Sequence, residues 1–83
     1  MQVTVHLFAR LRDLVDSDIV SLELGESPTI ADLRSRMMVQ YPIVASILPR
    51  CLIALNQEFA QDHETITPGS ELAIIPPVSG GSS

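Results

Sequence analysis

Apolar and polar residues alternate in the first part of this chain, then the apolar residues recur at helical spacing, and the last strand is a short apolar run. Val3, Val5 and Leu7 alternate with Thr4, His6 and Phe8, which predicts a strand with one aliphatic face and places Phe8 on the other face with Thr4 and His6. Arg10 to Val15 predicts one short helical turn with Leu11, Leu14 and Val15 on one side, and Asp16-Ser17-Asp18 predicts a turn. Val20, Leu22 and Leu24 alternate with Ser21 and Glu23, giving a second strand that pairs antiparallel with the first through a wide connection.

Gly25-Glu26-Ser27-Pro28 breaks the pattern. Thr29 is a good helix N-cap, and Asp32 stands where a capping box needs its reciprocal acceptor. Ile30, Leu33, Met37 and Tyr41 follow at helical spacing, so the one substantial helix is expected over Thr29 to Gln40, with Arg34 and Arg36 toward its outer side and Tyr41-Pro42 ending it. Ile43 to Leu48 is a short apolar connector with room for a single helical turn. Cys51 to Leu55 is a continuous apolar run that predicts a central strand, Asn56-Gln57-Glu58 its turn, and Phe59-Ala60 the start of a short edge strand. Thr67-Pro68-Gly69-Ser70 is a tight turn before a last strand over Glu71 to Ile75. This order of elements predicts an α+β fold of the ubiquitin-like, or β-grasp, kind: a mixed sheet of four to five strands packed on one main helix, with the first and last strands parallel neighbours at the centre. Residues 1–76 form the expected domain and 77–83 a flexible C-terminal tail.

Composition narrows the function classes. The 83 residues allow one domain, which at this size buries roughly 60% of its unfolded surface. The apolar fraction of 46% is enough for a core. The net charge is −5, with five arginines and no lysine, which argues against nucleic acid and for partners with a basic groove. Without lysine, only the N-terminal amine could be self-acylated. Cys51 is the single cysteine, so no intrachain disulfide forms and a reducing, cytoplasmic setting is expected. The alternation begins at Val3, so no secretion leader is expected. No apolar run approaches the ~20 residues that span a bilayer, so no membrane partner is expected.

No catalytic constellation of the chain's own stands out. His6 and His63 are far apart and lack a thiol or carboxylate at ligand spacing, and they read as surface histidines. Cys51 opens an apolar run and reads as a buried, inert thiol. Asp13, Asp16 and Asp18 lack the glycine and distal glutamate of a calcium loop, so no metal site is expected. What remains is Pro76-Pro77-Val78-Ser79-Gly80-Gly81. Glycine has no Cβ, so Gly80-Gly81 fits a channel too narrow for other residues, and the two prolines stiffen its base. Extended, Pro76 to Gly81 would reach roughly 17 Å. The alternative reading is a frayed end or a linker, which Pro-Pro-Val argues against.

Over nearly its whole length the chain resembles the small subunits of molybdopterin synthase, a family of ubiquitin-like sulfur carriers. The resemblance rests on Leu7-Phe8-Ala9-Arg10-Leu11-Arg12-Asp13-Leu14-Val15, on Leu55-Asn56-Gln57-Glu58, and most specifically on Pro68-Gly69-Ser70-Glu71-Leu72-Ala73-Ile74-Ile75 with Pro76-Pro77-Val78-Ser79-Gly80-Gly81 after it. It implies that a ubiquitin-activating-like adenylyltransferase uses ATP to adenylate Gly81, that sulfur replaces AMP to give a thiocarboxylate, and that the tail enters the large subunit and donates sulfur to a pterin precursor. The chain would then be a non-catalytic cosubstrate with no permanently bound cofactor, in a heterotetramer of two large and two small subunits. Members of this kind usually stop at the second glycine, so Ser82-Ser83 must be absent or removed before Gly81 can react. The serines are an added remnant, a protease-trimmed segment, or the mark of a copy that no longer carries sulfur; everything before Ser82 favours the first two.

Alternation also points to an interface. Phe8, Phe59 and Ile75 are expected to form an apolar patch beside the tail root, which with Pro76, Pro77, Val78 and Ser79 would face the partner. The alternative is that Phe8 or Phe59 closes a second small core. Other functions share these features: a sulfur carrier for thiamine, cysteine or tRNA thiolation, against which Pro-Pro-Val-Ser argues, and a ubiquitin-like modifier or pure binding module.

Overall fold

The structure is a computed structural model and describes residues 1–77. The strands are β1 (Gln2–Leu7), β2 (Ile19–Glu23), β3 (Leu52–Leu55), β4 (Glu58–Ala60) and β5 (Leu72–Ile75), and the helices are α1 (Ala9–Val15) and α2 (Ile30–Gln40). They form one mixed sheet in the order β2-β1-β5-β3-β4. β1 is parallel to β5 and antiparallel to β2, while β3 is antiparallel to both β5 and β4. This is the expected mixed sheet, with the first and last strands adjacent at its middle.

Period-two patterning is what turns β1, β2 and β5 the right way. Val3, Val5 and Leu7, Val20 and Leu22, and Leu72 and Ile74 all face inward, where Ile30, Leu33 and Met37 of α2 complete the core. Leu11 of α1, Val44, Leu48 and Ile66 close its ends. Leu33 and Met37 have no exposed surface, so truncating either to alanine would cost about 2–5 kcal/mol.

α2 starts as its sequence requires. The Thr29 N–H donates to Asp32 Oδ2 at 2.9 Å and the Asp32 N–H donates to Thr29 Oγ1 at 3.3 Å, a complete capping box. The segment 61–66 lies across the same end: Ile30 N–H donates to the Glu64 carbonyl and Ala31 N–H to the Asp62 carbonyl, both at 3.0 Å. Helix-end donors that would otherwise need water are thus satisfied within the protein.

Several details differ from the sequence reading: α1 runs seven residues from Ala9 rather than a single turn, and β4 begins at Glu58 rather than Phe59. The first strand ends at Leu7, and Phe8 becomes the N-cap of α1, although its extended backbone (φ −129°, ψ 153°) keeps its side chain in strand register. The connector after Pro42 holds two short 3₁₀ turns, Pro42–Val44 and Leu48–Arg50, each with a proline at its start. The third strand begins at Leu52, and Leu52 itself is exposed. Finally, Arg34 does not extend outward. Its Nε donates to Asp62 Oδ1 at 2.9 Å and its guanidinium donates to the Leu48 carbonyl at 2.8 Å, leaving the side chain only 16% exposed. The long arginine stem lets a residue on the flank of α2 fold back over the connector.

Candidate functional site: the open sheet face and the tail root

The helices cover one face of the sheet, and the strand registers assign the residues of the other. Ile19 pairs with His6, His6 with Ala73, Ala73 with Ala54, and Ala54 with Phe59. One row therefore crosses all five strands, with two alanines in its middle and large apolar side chains at its ends. In the next row Leu52 lies opposite Ile75. The parallel register, which sets Leu7 beside Ile74, brings Phe8 level with Ile75.

The small alanines let the larger side chains stand around a hollow of about 280 Å³ lined by Phe8, Ala54, Gln57, Phe59, Glu71, Ala73 and Ile75. Phe59 is 67% exposed, Leu52 48% and Phe8 46%. Neither phenylalanine closes a second core. Large apolar side chains therefore stand exposed together on one face of the sheet. Phe8, Phe59 and Ile75 thus come together as alternation predicts.

Pro76, half-buried, and Pro77, exposed, follow directly from Ile75 and begin the tail at the edge of this patch. They also line a second hollow, of about 390 Å³, with Ala9, Arg10, Ile47 and Arg50. Val78, Ser79, Gly80 and Gly81 lie outside the described residues.

Sequence reasoning missed Leu52 and Ile19, which are as exposed as Phe8. Ile19 just precedes the alternation beginning at Val20. Leu52 sits in a run apolar on both faces, and only its parity against Ile53, which is buried, separates it from the core.

Of the remaining reactive groups, His6 is half-buried on the open sheet face, between Ile19 and Ala73 in the row, and His63 is exposed in the 61–66 segment. Cys51 is buried, and its thiol donates to the Ile47 carbonyl at 3.3 Å. Burial raises its pKa, and the positive charges of Arg34 and Arg50 offset only part of that rise. Such a thiol is not poised as a nucleophile.

Known proteins resemble this chain in sequence and in fold. The model of the ThiS family matches residues 5–81. A molybdopterin synthase sulfur carrier subunit from Chlamydomonas reinhardtii is 39% identical over 98% of this chain and 100% of its own length. The corresponding subunit from Escherichia coli is 35% identical over 95% of this chain and 99% of its own. Among solved structures, SAMP1 of Haloferax volcanii superposes with a TM-score of 0.85 at 26% identity, covering 98% of this chain and 100% of that one. One chain of the protein–protein complex of subunits 1 and 2 of the molybdopterin-converting factor from Helicobacter pylori shares the fold, with a TM-score of 0.67 at 22% identity over 98% of this chain and 100% of that one. A β-grasp sheet whose last strand runs into Pro-Pro-Val-Ser-Gly-Gly, matched end to end by these relatives, makes this chain a member of the ThiS family, alongside the molybdopterin synthase sulfur carrier subunits.

Proposed function

We propose that this protein carries sulfur for molybdopterin synthesis, as a cosubstrate whose catalytic groups reside in its partners. The observation that carries the reading is the continuity between the apolar sheet patch and the tail root: Phe8, Phe59 and Ile75 line one hollow, and Ile75 is the residue from which Pro76-Pro77 leaves the sheet. Residues 1–76 act as the docking body and 77–83 as the tail. The patch holds a partner, Pro76, Pro77, Val78 and Ser79 direct the tail, and Gly80-Gly81 enters the partner's narrow site.

The chemistry on the tail balances as follows. The Gly81 carboxylate attacks the α-phosphorus of ATP and displaces pyrophosphate, giving an acyl-adenylate. Hydrosulfide, released by a sulfur donor, then attacks the acyl carbon and AMP leaves, so that the terminal acyl group bears sulfur in place of one oxygen. Adenylation converts a poor electrophile into one with a good leaving group. ATP is used by the adenylyltransferase, not held by this chain. Ser82 and Ser83 must be absent or removed first, because an amide at Gly81 has no carboxylate to activate. The named function of the Chlamydomonas and Escherichia relatives supports the pathway. The Helicobacter complex supports a large-subunit partner, and the single buried cysteine is consistent with a cytoplasmic setting.

Intact mass spectrometry of the protein from its own cells, before and after incubation with the activating enzyme, ATP and a sulfur donor, tests this. A species ending at Gly81 and heavier by roughly 16 Da, sulfur for oxygen, is expected. A mass that keeps Ser83 and gains nothing would overturn it. The likeness to SAMP1, a small archaeal modifier protein, favours a second reading as a protein modifier; conjugates of this chain to lysines of other proteins in cell extract would establish that one.

A further inference from the structure

The tail root has two sides, and they share no residue. One is the apolar hollow of the sheet. The other is the hollow where Ala9, Ile47, Pro76 and Pro77 supply apolar walls and Arg10 and Arg50 supply charge. Arg10 comes from α1 and Arg50 from the second 3₁₀ turn, so the fold brings together two cations 40 positions apart in the chain.

Their pairing sets them apart. The chain has ten carboxylate side chains and five arginines. Arg34 lies 2.9 Å from Asp62 and Arg12 3.9 Å from Asp13. Among the described residues, Arg10, Arg36 and Arg50 make no ion pair. Arg36 shares its surface hollow with Glu23 and Asp32. Among the described residues, no acid lines the hollow of Arg10 and Arg50. In a protein of net charge −5, two cations line one hollow that none of the described carboxylates lines. Their mutual repulsion is relieved when an anion lies between them.

We infer that this hollow is the docking point for an acidic segment of the protein partner that receives the tail, and that it fixes the tail root separately from the apolar patch. Guanidinium groups over apolar walls suit an aspartate or glutamate on its aliphatic stem, held through paired N–H donors, more closely than a bare phosphate, which is ordinarily cradled by backbone N–H groups. The patch supplies adhesion, and the arginines supply orientation and rate of encounter. The inference rests on the large-subunit partner proposed above.

The test is stopped-flow association of the full chain with the large subunit from the same organism, at 50 and 300 mM salt, for the unaltered chain, Arg10→Gln/Arg50→Gln, and Arg12→Gln/Arg36→Gln. The third protein has the same net charge as the second but an intact hollow. The expected result is an association rate lowered about tenfold at low salt, with a flattened salt dependence, for Arg10→Gln/Arg50→Gln alone. Equal slowing in both double variants would show a diffuse charge effect and overturn the inference. Binding unchanged by Arg10→Gln/Arg50→Gln would overturn it while leaving the partner reading intact. Failure of the unaltered chain to bind would overturn both.

Discussion

Asn56 and Glu71 are joined by two reciprocal hydrogen bonds: the Asn56 N–H donates to the Glu71 carbonyl at 2.8 Å, and the Glu71 N–H donates to Asn56 Oδ1 at 2.9 Å. Asn56 is also the first residue of the β3–β4 turn, where Asn56 and Gln57 both have positive φ (53° and 71°), the backbone of a tight two-residue hairpin. One side chain therefore fixes the hairpin that displays Phe59 and the entry to the strand that launches the tail.

The substitutions Asn56→Gly and Asn56→Ala separate these two roles. Glycine keeps the left-handed backbone and loses the side-chain acceptor, which costs about 1 kcal/mol at this exposed site. Alanine loses both, and the left-handed geometry adds roughly another 1 kcal/mol. Urea unfolding should rank the proteins unaltered, Gly, Ala, from most to least stable. Equal stability of the glycine and alanine variants would show that the turn backbone contributes nothing.

Phe59→Ser should separate binding from folding. The ring is mostly in water, so unfolding free energy should change by less than about 1 kcal/mol. Affinity for the large subunit should fall by more than about tenfold, as for an interface anchor. Leu52→Ser should behave in the same way, since Leu52 pairs with Ile75 on the same face. Calorimetric titration and a thermal melt on the same samples check both halves.

Arg34 is expected to be the arginine that matters most for stability. Its bond to the Leu48 carbonyl is sheltered, whereas Asp62 is 60% exposed and its ion pair is screened. Arg34→Ala should cost about 1–3 kcal/mol, by lost packing and an unpaired carbonyl, and Asp62→Ala less than about 1 kcal/mol. Adding 0.5 M salt should leave most of the Arg34 contribution in place. A strong loss in salt would assign that contribution to the ion pair.

Cys51 gives a pH dependence of definite sign. Burial raises its pKa in the folded protein above the ordinary value of 9.0, so the folded state holds its proton more tightly than the unfolded one. Its contribution is fully present below pH 9 and is lost as pH rises from there through the folded pKa. Unfolding midpoints taken across that window should fall for the unaltered protein and fall less for Cys51→Ala. Labelling by a thiol reagent at pH 8 should be slow until urea unfolds the chain.

The sheet was readable where one face meets water and the other the core. Val3, Val5 and Leu7 announce their orientation because Thr4 and His6 alternate with them, and Thr29 with Asp32 announces the helix start because capping is local chemistry. Leu52 was hidden because its neighbours Cys51 and Ile53 are also apolar, so period two carries no contrast there. Arg34 was misplaced because helical phase reports the direction of a Cβ and not the end of a long side chain, and its acceptor, the Leu48 carbonyl, is set by the non-local packing of the connector. The meeting of Arg10 with Arg50 is likewise a property of tertiary structure. Phe8, Phe59 and Ile75 were identifiable singly by parity and turn position, but their shared hollow depends on the two alanines between them.

The sheet order carries a consequence for how the protein is made. β5 is the middle strand, yet it is the last strand of the described chain to leave the ribosome. Until residues 72–75 emerge, β1–β2 and β3–β4 are separate hairpins with open edges, each too small to be stable in water. Folding must wait for loop closure across most of the chain, which favours slow, largely post-translational assembly. The strand that completes the sheet is also the one that carries the tail root. A nascent or truncated chain that lacks residues 72–75 therefore lacks the strand that joins the two halves of the sheet, and with it the face that Phe8, Phe59 and Ile75 share.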